Sequence, residues 1–189
     1  MVETITGFVL AGGRSLRMGS DKAFVRLEGR ALLDRALETL RAVAAELAVV
    51  GARERFGSFG RVVEDVCPDR GPLGGIHAAL QVSATDLNLV LAVDLPYVSS
   101  EFLGYLVEQA RASTALVTLP RTSDGWQPLC AVYRKGFAEV AEAALREGRN
   151  GVHELVENSA PRVIDEEELE RVGFMVEMFR NVNTPEDLV

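Results

Sequence analysis

Short apolar runs and helical apolar repeats alternate along most of this chain. Ile5 to Leu10 is a largely apolar run of the kind a buried strand makes. Between Ala31 and Val43 the spacing changes: Leu33, Leu37, Leu40 and Ala44 recur at helical intervals, with Arg35, Glu38 and Arg41 facing outward. Leu47 to Val50 reads as a short strand ended by Gly51, and Arg61 to Asp65 as a second extended segment. Gly71-Pro72-Leu73-Gly74-Gly75 then turns into a helix over Ile76 to Val82. Leu87 to Val93 is the clearest interior strand, apolar on both faces apart from Asn88. A helix over Glu101 to Ala112 has Ser99 or Ser100 as its N-cap. Ala115 to Leu119 and Leu129 to Tyr133 read as strands, and Phe137 to Arg146 as a helix. Alternation of this kind predicts an α/β protein: a single-domain three-layer sandwich over residues 1–189, with a mostly parallel, Rossmann-like sheet and right-handed crossovers. The loop at Thr122 to Gly125 interrupts the pattern without dividing the domain, and Glu28-Gly29-Arg30 reads as a turn.

Composition narrows the class. At 189 residues the chain can bury about 70% of its unfolded surface as one domain. Hydrophobic residues at 48% and charged residues at 25% exclude a disordered chain. No apolar stretch approaches the roughly 20 residues that span a bilayer, so no membrane partner is expected. Met1 to Thr4 carries no basic region of a secretory signal, which points to the cytoplasm. Cys67 and Cys130 lie far apart and read as packing residues in a reducing compartment. A net charge of −8 argues against a nucleic-acid surface. The charge is uneven: residues 1–61 hold ten Lys/Arg against seven Asp/Glu, and the remainder ten against twenty-one. The basic surplus therefore falls where the first candidate site lies.

That site is Leu10-Ala11-Gly12-Gly13-Arg14-Ser15-Leu16-Arg17-Met18-Gly19-Ser20-Asp21-Lys22. Paired glycines leaving a strand let the backbone approach a ligand closely. Exposed peptide N–H groups hold anionic oxygens, and Arg14, Arg17 and Lys22 add positive charge. The combination suits a nucleoside triphosphate; a surface turn with solvated arginines is the plainer explanation of the glycines alone. A Walker A loop would end Gly-Lys-Ser/Thr, and a dinucleotide fingerprint would space its glycines as G-x-G-x-x-G; neither is present here.

In a parallel sheet, ligands bind beyond the carboxyl ends of the strands. Asp94 sits there, between the Leu89 to Val93 run and Leu95-Pro96, as a turn cap or as a ligand for Mg²⁺. Asp65 ends the shorter extended run, either as a turn former or as a nucleotide contact. Near the C-terminus, Thr184-Pro185 makes a good helix start. Asn181 and Asn183 just upstream would point to one side of an extended segment, where their amides could bind polar groups. His77 and His153 read as partly buried or capping, and the acidic run Asp165 to Glu168 as a solvated helix start.

The thirteen-residue pattern resembles the signature of nucleotidyltransferases that build nucleotide-containing cofactors, and most closely that of the molybdenum cofactor guanylyltransferase family. Asn181-Val182-Asn183-Thr184-Pro185-Glu186-Asp187-Leu188 resembles that family's terminal motif, and Trp126-Gln127-Pro128-Leu129 its acceptor-side segment. The resemblance runs from about Ile5 to the C-terminus. It implies GTP as donor and the molybdopterin form of the molybdenum cofactor as acceptor, with transient contacts to proteins that deliver or receive the cofactor. It implies that Leu10, Ala11, Gly12, Gly13, Lys22, Asp65 and Asp94 contact the nucleotide. Arg17, Lys22 and Asp94 would be catalytic, with Asp94 holding Mg²⁺ as the cofactor. Gln127, Pro128, Asn181 and Asn183 would contact the acceptor, and Gly71 to Gly75 would lie near the base. The sequence departs from the family at Gly51, where members often carry an Asn that contacts base or ribose. A cytidylyltransferase or other nucleotidyltransferase of the same fold, or a non-catalytic nucleotide or cofactor carrier, stands as the alternative reading.

Overall fold

A computed structural model describes residues 4–12, 22–64 and 70–182. Its strands are β1 (Ile5–Leu10), β2 (Arg26–Leu27), β3 (Arg30–Ala31), β4 (Glu46–Val50), β5 (Val62–Val63), β6 (Leu87–Ala92), β7 (Val117–Thr122), β8 (Gly125–Trp126), β9 (Cys130–Arg134) and β10 (Arg162–Ile164). The helices are α1 (Leu32–Arg41), α2 (Arg53–Phe56), α3 (Gly71–Val82), α4 (Ser100–Arg111), α5 (Phe137–Arg146), α6 (Val152–Glu157) and α7 (Glu166–Arg171).

One sheet runs in the order β10-β7-β9-β6-β1-β4-β5, with β8 folded back on β7. It is parallel through β6-β1-β4-β5 and again at β10-β7, while β9 runs against both neighbours. The mostly parallel α/β sandwich expected from the alternation is therefore present. Strand sense leaves no trace in periodicity; the reversal at β9 follows from the short, helix-free link between β7 and β9, which leaves no room for a parallel crossover.

Successive strand residues point to opposite faces, and two cores result. Phe8 and Val90 join Leu73, Ile76, Tyr133 and Phe137 beneath α3 and α5. Val9 and Leu91 join Leu33, Leu40, Phe102 and Leu169 beneath α1, α4 and α7. Gly7 permits the close approach on that second face: a Cβ there would lie 2.7 Å from Leu47 Cδ2 and 3.1 Å from Ala44 Cβ. Asn88, the one polar residue of β6, is fully buried and donates to the carbonyls of Thr85, Asp86 and Tyr133, so its role is to tie down the strand's entrance.

Two local expectations change, and the turn at Glu28-Gly29 gains a role. Gly71 to Gly75 is not a turn before a helix, because α3 already starts at Gly71 with Pro72 in its first turn. Gly75 is a packing residue inside that helix, where a Cβ would come 3.3 Å from Val50 Cγ1. The turn at Glu28-Gly29 closes a two-residue hairpin between β2 and β3, with φ of 52° and 81°. Strand β7 continues through Pro120 to Thr122, since the proline's carbonyl still accepts a bond from Gln127 N at 3.0 Å.

Candidate active site

The carboxyl ends of β1, β4, β5 and β6 lie at one edge of the sheet, and the described candidates Leu10, Ala11, Gly12, Lys22 and Asp94 converge there. Leu10 O accepts from Val93 N at 3.1 Å, which fixes the end of β1 against the segment leaving β6. Ala11 N and Gly12 N both donate to Val50 O, at 3.1 and 3.0 Å. These two N–H groups are thus engaged with β4; the rest of the turn whose peptide N–H groups were expected to hold anionic oxygens lies outside the described residues. Gly13, Arg17 and Asp65 lie outside the described residues, as do Arg14, Asn183 and Cys67.

Lys22 and Asp94 face each other across this edge. Lys22 Nζ lies 3.4 Å from Asp94 Oδ2, with side chains 19% and 25% exposed. Both are partly open to solvent, so either could exchange the other for oxygens of a ligand. The Asp94 carbonyl accepts from Val182 N at 2.9 Å, so the C-terminal segment is fastened to the residue that carries the carboxylate.

A cleft of about 1100 Å³ opens beside this pair. Asp94, Gln127, Pro128 and Asn181 line it, bringing four of the sequence-predicted residues together. The Gln127-Pro128 segment is held on both sides: Gln127 O accepts from Cys130 N at 3.0 Å, and Pro128 O from the Tyr133 hydroxyl at 2.8 Å. Tyr97, Trp126, His153 and Arg180 also line the cleft. The Arg180 guanidinium lies 5.4 Å above the Tyr97 ring, and Arg121 5.4 Å above Trp126. Tyr97 and Arg180 carry no motif of their own; their only sequence signal is nearness to Asp94 and Asn181. His153 was expected to be partly buried or capping. It is exposed, because α6 buries Val152, Leu155 and Val156 instead. His77 is buried in α3 near Gln81 and takes no part in the cleft.

Gly51 has a structural cause. A Cβ at this position would lie 2.6 Å from Phe56 Cε2, inside the ring's contact radius. Phe56 is fully buried and stacks on Phe24 at 5.8 Å. An aromatic pair occupies the space in which a side chain on residue 51 would start. Cys130 is buried, and burial pushes its thiol pKa far above the ordinary range, which makes it an inert packing residue.

Among the described residues no three His, Cys, Asp or Glu side chains converge as a metal cluster. One carboxylate at a strand end nevertheless suits Mg²⁺, which commonly takes one or two protein carboxylates and completes its shell with phosphate oxygens and water. Asp94 fits that pattern.

A parallel sheet edge bearing a Lys–Asp pair and opening on a wide cleft suits an enzyme that moves phosphate-linked groups. Residues 7–163 match the MobA-like NTP transferase domain, and the chain belongs to that family. It is a nucleotidyltransferase. It is 39% identical to a probable molybdenum cofactor guanylyltransferase of Pelotomaculum thermopropionicum, over 97% of this chain and 90% of that protein. It is 31% identical to a molybdenum cofactor guanylyltransferase of Desulfosudis oleivorans, over 99% of this chain and 94% of that one. The crystal structure of molybdopterin-guanine dinucleotide biosynthesis protein A from Archaeoglobus fulgidus superimposes with a TM-score of 0.84 at 28% identity, covering 97% of this chain and 94% of the other.

Proposed function

We propose that this protein transfers GMP from GTP to the molybdopterin form of the molybdenum cofactor, forming the guanine dinucleotide cofactor and pyrophosphate. The observation that carries the reading is the Lys22–Asp94 pair at the mouth of a cleft whose other walls hold Gln127 and Asn181. In this reading an oxygen of the acceptor's phosphate attacks the α-phosphorus of GTP. A new P–O bond forms as the bond to the β-phosphate oxygen breaks, and pyrophosphate leaves from the opposite side. A phosphate monoester is already anionic at neutral pH, so no protein base is needed. The protein's work is alignment and charge neutralisation. Lys22 offsets the triphosphate charge, with Arg17 as its proposed companion. Asp94 would hold Mg²⁺, which when bound neutralises phosphate oxygens. Asp65 and the loop after β1, Leu10 to Gly13, would hold the nucleotide. Gln127, Pro128, Asn181 and Asn183 would hold the acceptor. A cytoplasmic location and transient handover contacts with other proteins belong to the same proposal.

The test is a donor screen with purified molybdopterin and magnesium, with products identified by mass. GTP should yield the guanine dinucleotide and pyrophosphate, and chelation by EDTA should abolish turnover until Mg²⁺ is restored. Faster turnover with CTP would transfer the reading to a cytidylyltransferase. Nucleotide binding without pyrophosphate release would make the protein a carrier.

A further inference from the structure

One wall of the cleft is a hairpin that stands off the main order of the sheet. Its strand β8 pairs with β7, setting Arg121 opposite Trp126 and Thr122 opposite Gly125. Thr122, Asp124, Trp126 and Gln127 of this hairpin line the cleft. The base of the hairpin is secured by the bond from Gln127 N to Pro120 O. Its tip is secured from a different element. Ser123 donates twice to Glu166 Oε1 on α7, through its main-chain N–H and, at 2.9 Å, through its hydroxyl. The two residues flanking Ser123 both line the cleft, so this tether acts on the wall directly. The main-chain bond first, and the hydroxyl second, hold the Glu166 carboxyl below its usual 4.5, so it accepts as a carboxylate at neutral pH. Bonds to an ionised acceptor are about twice as strong as neutral ones.

A second stretch of the lining, residues 176–181, follows α7 in the chain. Phe174 and Phe179 fix it edge-on against Phe102 on α4, at 5.2 and 5.4 Å. One short helix therefore holds the hairpin tip at its first residue and leads from its last into the segment that carries Asn181. We infer that Glu166 is a positioning residue for the acceptor: by fastening Ser123 to α7 it sets the wall formed by Thr122, Asp124 and Gln127 against the Asn181 segment. Glu166 does not itself line the cleft and works through Ser123. The inference rests on the reading of this cleft as the acceptor side.

The experiment separates the tether from the fold and from the reaction. Molybdopterin binding is titrated without nucleotide for wild type, Glu166→Ala, Glu166→Gln, Ser123→Ala, the Glu166→Ala/Ser123→Ala double variant and Glu167→Ala. Acceptor and GTP KM values are measured in parallel. Glu166→Ala should weaken molybdopterin binding and raise acceptor KM by about fivefold, leaving GTP KM within about twofold. Glu166→Gln keeps an oxygen that can accept both bonds and should stay within about twofold of wild type. Ser123→Ala keeps the main-chain donor and should fall between. Adding it to Glu166→Ala should change nothing further, because the acceptor of its bond is already gone. Glu167→Ala removes the neighbouring acid from the same helical turn and should bind as wild type does, which sets the tether apart from charge at the helix start. Unchanged molybdopterin binding in Glu166→Ala overturns the inference, as does equal weakening by Glu167→Ala or a parallel rise in both KM values. Failure of wild type to bind molybdopterin overturns it too. A wild type that binds molybdopterin, loses affinity on Glu166→Ala and releases no pyrophosphate upholds the inference and overturns the proposed reaction instead.

Discussion

Lys22 and Asp94 stand 72 positions apart in the chain and 3.4 Å apart in space. A partly exposed ion pair adds about 0–1 kcal/mol to folding, so its placement serves the ligand edge more than stability. Lys22→Ala and Asp94→Asn should therefore each lower turnover by roughly 10²- to 10³-fold, the usual cost of losing a transition-state charge contact. Their melting temperatures should stay within about 3 °C of wild type. Parallel loss of both properties would place the pair in the fold rather than in the chemistry. Gly51 predicts the reverse. With Phe56 Cε2 only 2.6 Å from a new Cβ, Gly51→Ala should cost about 1–3 kcal/mol in denaturant unfolding. In combination with Phe56→Leu the loss should fall short of the sum, because the smaller side chain relieves the clash. Lys22 and Asp94 were readable in the sequence because strand-end position and charge are local properties. Arg180 was not, since its place 5.4 Å from the Tyr97 ring centre comes from the fold bringing two distant segments together.

Elements with a full period behind them were legible: α1, α4, α5, β1 and β6 sit within two residues of where apolar spacing put them. Ser99 caps α4 through the Phe102 N–H at 3.2 Å, and Asp165 caps α7 through Glu168 N at 2.9 Å, so the acidic run does begin a helix. Among the pieces that left no signal are α6 and β10, with six and three residues. Each is too short to complete two turns or a clear alternation, and each is ordered by tertiary contacts instead. The β2–β3 hairpin shows the same override, because its two-residue turn places Glu28 at a positive φ that a long side chain disfavours. Turns of this shape prefer Asn-Gly. Glu28→Asn should therefore raise stability by about 0.5–1 kcal/mol despite losing the exposed bridge to Arg35, with turnover unchanged. A lower melting temperature for Glu28→Asn would mean that the bridge outweighs the turn.

At the scale of the molecule, the sheet's β10 edge is fastened by one polar network that also governs how the C-terminal segment reaches the cleft. Arg162 on β10 donates to both oxygens of Glu168 on α7 and to Gln109 Oε1 on α4, the last at 2.7 Å. Tyr105 on α4 donates to Glu168 Oε1 at 2.6 Å. From α7 the chain packs Phe174 and Phe179 edge-on against Phe102, at 5.2 and 5.4 Å, and then brings Arg180 to Tyr97 and Val182 to Asp94. The network titrates at both ends. The hydrogen bond from Arg162, followed by that from Tyr105, holds the Glu168 carboxyl below its usual 4.5 despite partial desolvation. A carboxylate depressed in the folded state stabilises fully above about pH 4.5, and that contribution fades as pH falls through the folded value. Desolvation, followed by the bond to Glu168, pushes Tyr105 from 10.0 up to about 12. A phenol raised in the folded state stabilises fully below pH 10, and that contribution fades as pH climbs toward 12. The network therefore holds at full strength between about pH 5 and pH 10. Glu168→Gln should lose about 2 kcal/mol there, or roughly 4–8 °C in a protein of this size. The deficit should shrink below pH 4.5, where wild type also surrenders its carboxylate. Tyr105→Phe should converge on wild type only above pH 10. A deficit that stays constant from pH 3 to pH 7 for Glu168→Gln would show that packing around the side chain, rather than its charge, secures this end of the sheet.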